Sequence, residues 1–283
     1  MFFTVIVLTF LKRNNKITVT LPSPTPQADF LESYFNIESE YLDSFSKYAN
    51  MPKERVLAAT TSHHFLAKDL IAETFSGIDP TGIKTIIIVG PDHFSQITGP
   101  IYMAQTTSTP WHTPFGNMDP NMQIIDSISQ NKEVYSDINL FRSEHSIYTL
   151  VPFAKKVFPN AELVPLVLRQ KSDYSYFYDL GEQISKMVDL NQTVLIVSSD
   201  FTHYSSTEKA KQNDQKSISL LPSKNLENVN GITNDCKQCT AFLFGYLKNT
   251  NTKFELLFNK NSFDISGEDS RNVTSYVGAY FTN

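Results

Sequence analysis

Two short runs constrain this chain more than any other feature: "KTIIIVG", Lys84 to Gly90, and "TVLIVSS", Thr193 to Ser199. Each is continuously apolar, rich in β-branched residues and too short for a typical helix. Such a run suits a strand buried on both faces of a sheet, which needs further layers above and below it. Strand and helix patterns alternate around the two runs. "RVLAATT" (Arg55 to Thr61) and "AELVPLVL" (Ala161 to Leu168) read as strands, and "KFELLF" and "SYVGAYF" as closing strands. "HFLAKDLIAETF" (His64 to Phe75) reads as an amphipathic helix. Other helices are expected near Pro120 to Gln130, Ser146 to Val157, Tyr174 to Val188, Glu208 to Leu220 and Thr240 to Lys248. Ala28 to Ala49 follows a helical spacing imperfectly. Alternation of this kind predicts an α/β domain, a sheet with helices on both faces.

Composition supports that reading and removes others. With 283 residues, 41% hydrophobic and 19% charged, the chain can bury a sizeable core. The net charge of −5, without any basic block, argues against a nucleic-acid binder, which needs clustered Lys and Arg to neutralise phosphates. The two cysteines, Cys236 and Cys239, do not make a disulfide framework. No G-x-S-x-G elbow marks a serine hydrolase.

The first 27 residues stand apart from the domain expected over 28–283. Met1 to Leu11 is apolar and is followed by Lys12, Arg13 and Lys16. Eleven residues fall short of the roughly 20 that cross a bilayer, and a secretory signal carries its positive charge ahead of its apolar run. A strand or irregular start is one reading. Part of a membrane anchor is the other, which would bring residues 1–11 to a membrane and tether an otherwise cytoplasmic protein. "LPSPTPQ", Leu21 to Gln27, reads as an extended linker because its prolines block helix.

The histidines point to a site. His63 and His64 follow the first expected strand, His93 the second, and His203 the strand Thr193 to Ser199. His145 precedes a helix, and His112 lies in the Pro-rich "TPWHTPFG", read as a loop. None falls inside an expected strand. Open α/β sheets bind ligands at the carboxyl ends of their strands, so Asp92, His93 and the other strand-end histidines are expected to face one site. His63, His93, His145 and His203 are the main candidates; His64 starts a helix and has a plain structural role open to it. In "SSDFTHY", Asp200 and His203 can meet across a turn, where a carboxylate would fix the tautomer of an acid–base imidazole. A helix N-cap is the plainer alternative for Asp200. Glu144 beside His145 allows the same two readings. In "NDCKQCTAF", Asn234 or Asp235 would cap a helix and place Cys236 in its first turn, where the helix dipole favours a thiolate. One Cys-x-x-Cys alone is a weak zinc signal, and a redox pair is also open.

In this order and spacing, "GPDHF", "SEHSIYTLVPF", "SSDFTHY" and "DCKQC" resemble the Memo family, whose members include the B component of the AmmeMemoRadiSam system. "SHHFLAKDLIAETF", "TPWHTPFG" and "SYVGAY" are similar to further family motifs, so the resemblance runs from about Arg55 to Phe281. Ser62-His63-His64 stands where the family usually has Pro-His. Lys237 and Thr240 replace a glycine and a proline in the cysteine motif. The resemblance implies an α/β sandwich with a mixed central sheet, similar to class III extradiol dioxygenases. It implies a metal site of His63, His93 and Cys236, with Asp200 and His203 as an acid–base pair and His145 lining the same pocket. Such a donor set suits iron or copper, with zinc a further candidate, and leaves a coordination position open for chemistry. The expected function is that of a metal-dependent redox protein. A ring-cleaving dioxygenase would want a carboxylate as third ligand. A non-catalytic module binding a small molecule or peptide is the remaining class. Radical SAM and AMMECR-type proteins are the partners the resemblance implies.

Overall fold

The computed structural model describes residues 30–94 and 102–283. The chain opens with β1 (Leu31–Glu32), α1 (Glu38–Ser46), β2 (Val56–Thr61), α2 (Lys68–Ser76) and β3 (Thr85–Pro91). Shorter pieces follow: β4 (Ala104–Thr106), β5 (Trp111–Thr113), β6 (Gly116–Met118), α3 (Met122–Ile128), β7 (Val134–Ser136), α4 (Ile138–Phe141), α5 (His145–Tyr148) and α6 (Val151–Val157). The remainder is β8 (Glu162–Leu168), α7 (Ser175–Met187), β9 (Thr193–Ser198), α8 (Thr207–Leu220), α9 (Lys237–Tyr246), β10 (Lys253–Asn261), α10 (Ser262–Ser266) and β11 (Ser275–Thr282).

The continuously apolar runs form the middle of an eight-stranded sheet, ordered β10-β11-β2-β9-β3-β8-β4-β7. β2, β9, β3 and β8 are parallel, and every residue of β2, β3 and β9 is buried. β11 and β10 on one side and β4 on the other join in antiparallel fashion, so the sheet is mixed. Side chains alternate across a strand, and β3 therefore feeds two cores. Ile87 and Val89 pack with Leu195 and Val197 under α7 and α9, against Phe177, Leu180 and Phe242. Ile86 and Ile88 pack with Val194 and Ile196 under α2 and α6, against Phe75 and Phe153. Each such side chain, fully buried, contributes roughly 1.5–3 kcal/mol. The result is an α/β sandwich with helices on both faces.

A second sheet, β1-β5-β6, carries Trp111 into the α6 side of the core. Here the structure corrects three expectations. "TPWHTPFG" is a hairpin of β5 and β6, and His112 lies within a strand, half-exposed, with Nδ1 3.6 Å from Glu32 Oε2. The helical spacing over Ala28–Ala49 does not give one helix within its described part, residues 30–49: Leu31 pairs with Trp111, a turn follows in which Ser33 Oγ donates to Asn36 Oδ1 at 2.8 Å, and only then does α1 begin. The helix expected over Ser146–Val157 is two, α5 and α6, because Pro152 sits in the first turn of α6 and cannot continue a preceding helix. The apolar segment and linker expected over residues 1–27 lie outside the described residues. No helix among the described residues is long and apolar enough to cross a membrane.

Candidate metal centre

The neighbouring parallel strands β2, β9 and β3 end on the same edge of the sheet. Immediately beyond them stand Ser62 and His63, Ser199 and Asp200, and Asp92 and His93. α5 brings its first residue, His145, to the same edge. Two buried hydrogen bonds draw α5 there. Ser146 Oγ donates to the Pro91 carbonyl at 3.0 Å, and Ser198 Oγ donates to the Ser146 carbonyl at 2.6 Å. Gly90 permits the approach, since a Cβ at that position would stand 2.5 Å from Ser146 Oγ.

These contacts also orient the imidazoles. His63 Nδ1 lies 3.0 Å from Ser198 Oγ. That hydroxyl has already given its proton to the Ser146 carbonyl, so Nδ1–H is the donor of the pair. His63 Nε2 then faces Asp235 Oδ2 at 3.3 Å and Asp200 Oδ2 at 3.8 Å. Glu144 holds His93 with both oxygens: Oε2 accepts from the His93 backbone N–H at 2.9 Å and Oε1 meets Nδ1 at 2.8 Å. Burial pushes the Glu144 carboxyl up, but hydrogen bonds from His93 and the Ser146 N–H outweigh it and keep the group ionised. An ionised carboxylate only accepts, so Nδ1 carries the proton and Nε2 is left for the site, 3.9 Å from Asp235 Oδ2. His145 stacks on His93 with ring centroids 4.1 Å apart, and both rings lie 5.1 Å from that of His63.

Two overlapping donor sets result. Nitrogen atoms of His63, His93 and His145 come within 4.8 Å of one another, and so do donor atoms of His63, Asp200 and Asp235. Asp235 is the carboxylate whose one oxygen, Oδ2, approaches Nε2 of both His63 and His93. Its Oδ1 accepts from Ser199 Oγ at 2.8 Å, and its backbone N–H donates to the Asp200 carbonyl at 3.0 Å. Its Oδ2 is buried without a hydrogen bond of good geometry, and the His63 ring 3.3 Å away is the charged group it faces. Asp200 is steadied by Ser62, whose Oγ donates to Oδ1 at 2.5 Å.

The electrostatics suit a cation. Burial alone would lower the His63 pKa, but Asp200, Asp235 and Glu144 together raise it to about 9. The imidazolium at His63 holds the Asp235 carboxyl below its usual range against the opposing effect of burial. His145 goes the other way, down to about 4, first through burial and then through repulsion from the neighbouring His63 and His93 rings. One positive charge is thus favoured among these carboxylates, and a metal ion ligated by the same atoms would take the place of that proton. Imidazole nitrogens with one carboxylate oxygen are a donor set suited to divalent first-row metals.

The cluster opens into a cavity of about 620 Å³. His203 lies on its wall; its Nδ1 is 2.9 Å from the Phe201 carbonyl, which accepts only, so Nε2 is left unprotonated in the neutral ring. His64 lines the cavity too, with Nδ1 2.7 Å from the hydroxyl of buried Tyr276. Aromatic side chains of Tyr34, Phe35, Phe65 and Tyr148 line it as well.

Of the residues singled out in the sequence, the structure brings together His63, His93, His145 and Asp200, and puts His203 beside them. Asp200 does not orient His203; it faces His63, and the Phe201 carbonyl holds His203 instead. Asp92 accepts from the Phe94 N–H at 3.0 Å and is not part of the cavity wall. Cys236 is fully buried, is joined to Cys239 in a disulfide, and belongs to neither donor set among the described residues. It is the N-cap of α9, one position earlier than expected, with Sγ accepting from the Cys239 N–H at 3.2 Å. Asp235, read in the sequence only as a cap, brings a carboxylate oxygen to His63 and His93.

Comparison with known proteins finds one family over most of the chain. The Memo-like protein family matches residues 28–280. A MEMO1 family protein of Caldivirga maquilingensis is 31% identical over 196 residues, 65% of this chain and 67% of that protein. One from Nitrosopumilus maritimus is 26% identical over 219 residues, covering 74% and 77%. One from Methanosarcina mazei is 25% identical over 245 residues, covering 82% and 88%. Among solved structures, the uncharacterized protein JW3007 from Escherichia coli K12 superposes with a TM-score of 0.49 at 9% identity, over 79% of this chain and 99% of that one, a likeness too distant to argue from.

Proposed function

Since this chain belongs to the Memo-like protein family, we propose that it is a metal-dependent redox protein that holds one iron or copper ion on His63 and His93, with Asp235 as the carboxylate beside them. One observation carries the reading: Asp235 Oδ2 is buried without a hydrogen bond of good geometry, at 3.3 Å and 3.9 Å from the ring nitrogens of His63 and His93. A buried carboxylate oxygen with no donor is costly unless a cation satisfies it. When bound, such a metal would supply Lewis acidity and one-electron chemistry at open positions. The chain's own groups do the rest. Ser198 and Glu144 fix the two ligand rings, Asp200 balances the charge at His63, and His203, held through Nδ1, keeps Nε2 for proton transfer.

Asp235 also favours a second reading. A ring-cleaving dioxygenase of extradiol type calls for two histidines and a carboxylate, and Asp235 is a carboxylate where Cys236 was expected. Both readings share the metal and are tested first in the same way. Anaerobic loading of the purified protein with ferrous iron, followed by element analysis, should give one ion per chain. His93→Ala and Asp235→Asn should each reduce that by tenfold or more at equal free metal, while circular dichroism shows the variants folded. Unchanged stoichiometry in folded His93→Ala would end the proposal.

A further inference from the structure

The helix α8 is polar along most of its length, yet it buries a carboxyl. Its buried residues are Ala210, Asp214 and Ser217, and Asp214 is 1% exposed. An ionisable group is costly at such depth unless its hydrogen bonds are satisfied. Burial pushes the Asp214 carboxyl up, and neutral donors rather than a cation oppose it. Those donors hold the loop that carries His203. Ser275 Oγ donates to Asp214 Oδ1 at 2.9 Å, and Thr202 Oγ1 donates to the same oxygen at 2.9 Å. A hydroxyl has one proton to give. Having given its own to Asp214, Ser275 Oγ accepts the Thr202 backbone N–H at 2.8 Å.

The peptide unit between Phe201 and Thr202 is trans, so its N–H and its C=O point in opposite directions. With the N–H held by Ser275, the Phe201 carbonyl is turned the other way, where it meets His203 Nδ1 at 2.9 Å. Two main-chain bonds of 2.8 Å flank this unit: Phe201 N–H donates to the Ser275 carbonyl, and Ser275 N–H donates to the Thr202 carbonyl. The turn just beyond needs such anchorage. Tyr204 sits at φ +54°, a left-handed conformation unusual outside glycine, and it is 85% exposed, so its own side chain does little to hold the turn.

We infer that Asp214 is the positioning residue for His203: through Ser275 Oγ and the Phe201–Thr202 peptide it fixes the ring proton on Nδ1 and leaves Nε2 for the cavity. Asp214 is not among the residues lining that cavity and acts only through this chain of hydrogen bonds. That His203 then moves a proton rests on the reading above. The tautomer itself does not, because it is set by the bond at the other ring nitrogen and can be measured on metal-free protein.

Nitrogen-15 NMR of the full chain with labelled histidine, metal-free and at alkaline pH, reads the tautomer, and His203→Gln assigns the signals. Wild type should show a protonated Nδ1 and a bare Nε2 at His203. Asp214→Ala should move about half or more of that ring to the Nε2–H form, in protein that circular dichroism shows to be folded. Ser275→Ala removes a single oxygen from the same chain and should act alike, which keeps the test decisive if Asp214→Ala does not fold. Asp214→Asn retains an acceptor oxygen and should restore the wild-type pattern. A wild-type ring with its proton on Nε2, or folded Asp214→Ala or Ser275→Ala protein that keeps it on Nδ1, would overturn the inference. So would Asp214→Asn behaving like Asp214→Ala. A wild type that takes up no metal, yet shows the Nδ1–H form and loses it in Ser275→Ala, would instead overturn the metal reading and leave this one standing.

Discussion

His63 is the residue on which the centre turns, and its protonation makes a measurable prediction. Its folded pKa of about 9 lies above the unfolded value of 6.5. The folded state therefore binds the proton more tightly, and the resulting stability is fully present below about pH 6.5 and is lost as pH rises through about 9. A shift of this size corresponds to roughly 3 kcal/mol in a fully buried group. His145 has the opposite sign: held down to about 4, it contributes stability above pH 6.5 that is lost as pH falls through 4. Metal-stripped protein should accordingly be most stable near pH 6.5. Urea unfolding at pH 6.5 and pH 9.5 should show the alkaline loss, and His63→Gln should remove most of it. An identical loss in that variant would mean that His63 is not the charged partner of Asp200 and Asp235.

Among the elements, the pair α7 and α9 shows how closely one face of the sheet is packed. A Cβ at Gly245 of α9 would run into the backbone carbonyl of Tyr178 in α7, and backbone cannot yield as a side chain can. Gly245→Ala should cost about 3 kcal/mol, at or beyond the upper end of ordinary overpacking, and lower the denaturation midpoint without changing metal content. The metal should stay because α9 touches the centre only through Asp235, just before its N-cap. The same scale explains what the sequence revealed. β2, β3, β8 and β9 were legible because strands buried on both faces must be apolar throughout. β1 and β4 to β7 were not, since two or three residues carry no period. The histidines were legible because they follow legible strands. Asp235 was overlooked because it precedes the more conspicuous Cys236 and its cap-like position gave it a sufficient role. The aromatic lining of the cavity could not be read at all, since Tyr34, Phe65 and Tyr148 are far apart in sequence and meet only after β1 pairs with β5.

At the scale of the whole molecule, the centre ties together segments that are distant along the chain. His63 follows β2, His93 follows β3, and Asp235 precedes α9, while Ser198 at the end of β9 holds both His63 and α5. No one of these segments can present the donor set alone, so an unfolded chain lacks the site and an ion that binds the native state must stabilise the entire fold. At a free metal concentration a hundredfold above its dissociation constant, linkage gives about 2.7 kcal/mol. For a chain of this size that corresponds to a rise in melting temperature of roughly 5–10 °C. Zinc is the suitable probe because it has no redox chemistry to confuse the melt. Calorimetry with increasing zinc should show the midpoint climbing with the logarithm of free metal, and His93→Ala should melt at one temperature throughout. A rise of equal size in His93→Ala would show that zinc acts elsewhere on the surface. No rise in the wild type would mean that the buried carboxylate of Asp235 is satisfied by the His63 proton alone, and the cluster would then be a charge network rather than a metal centre.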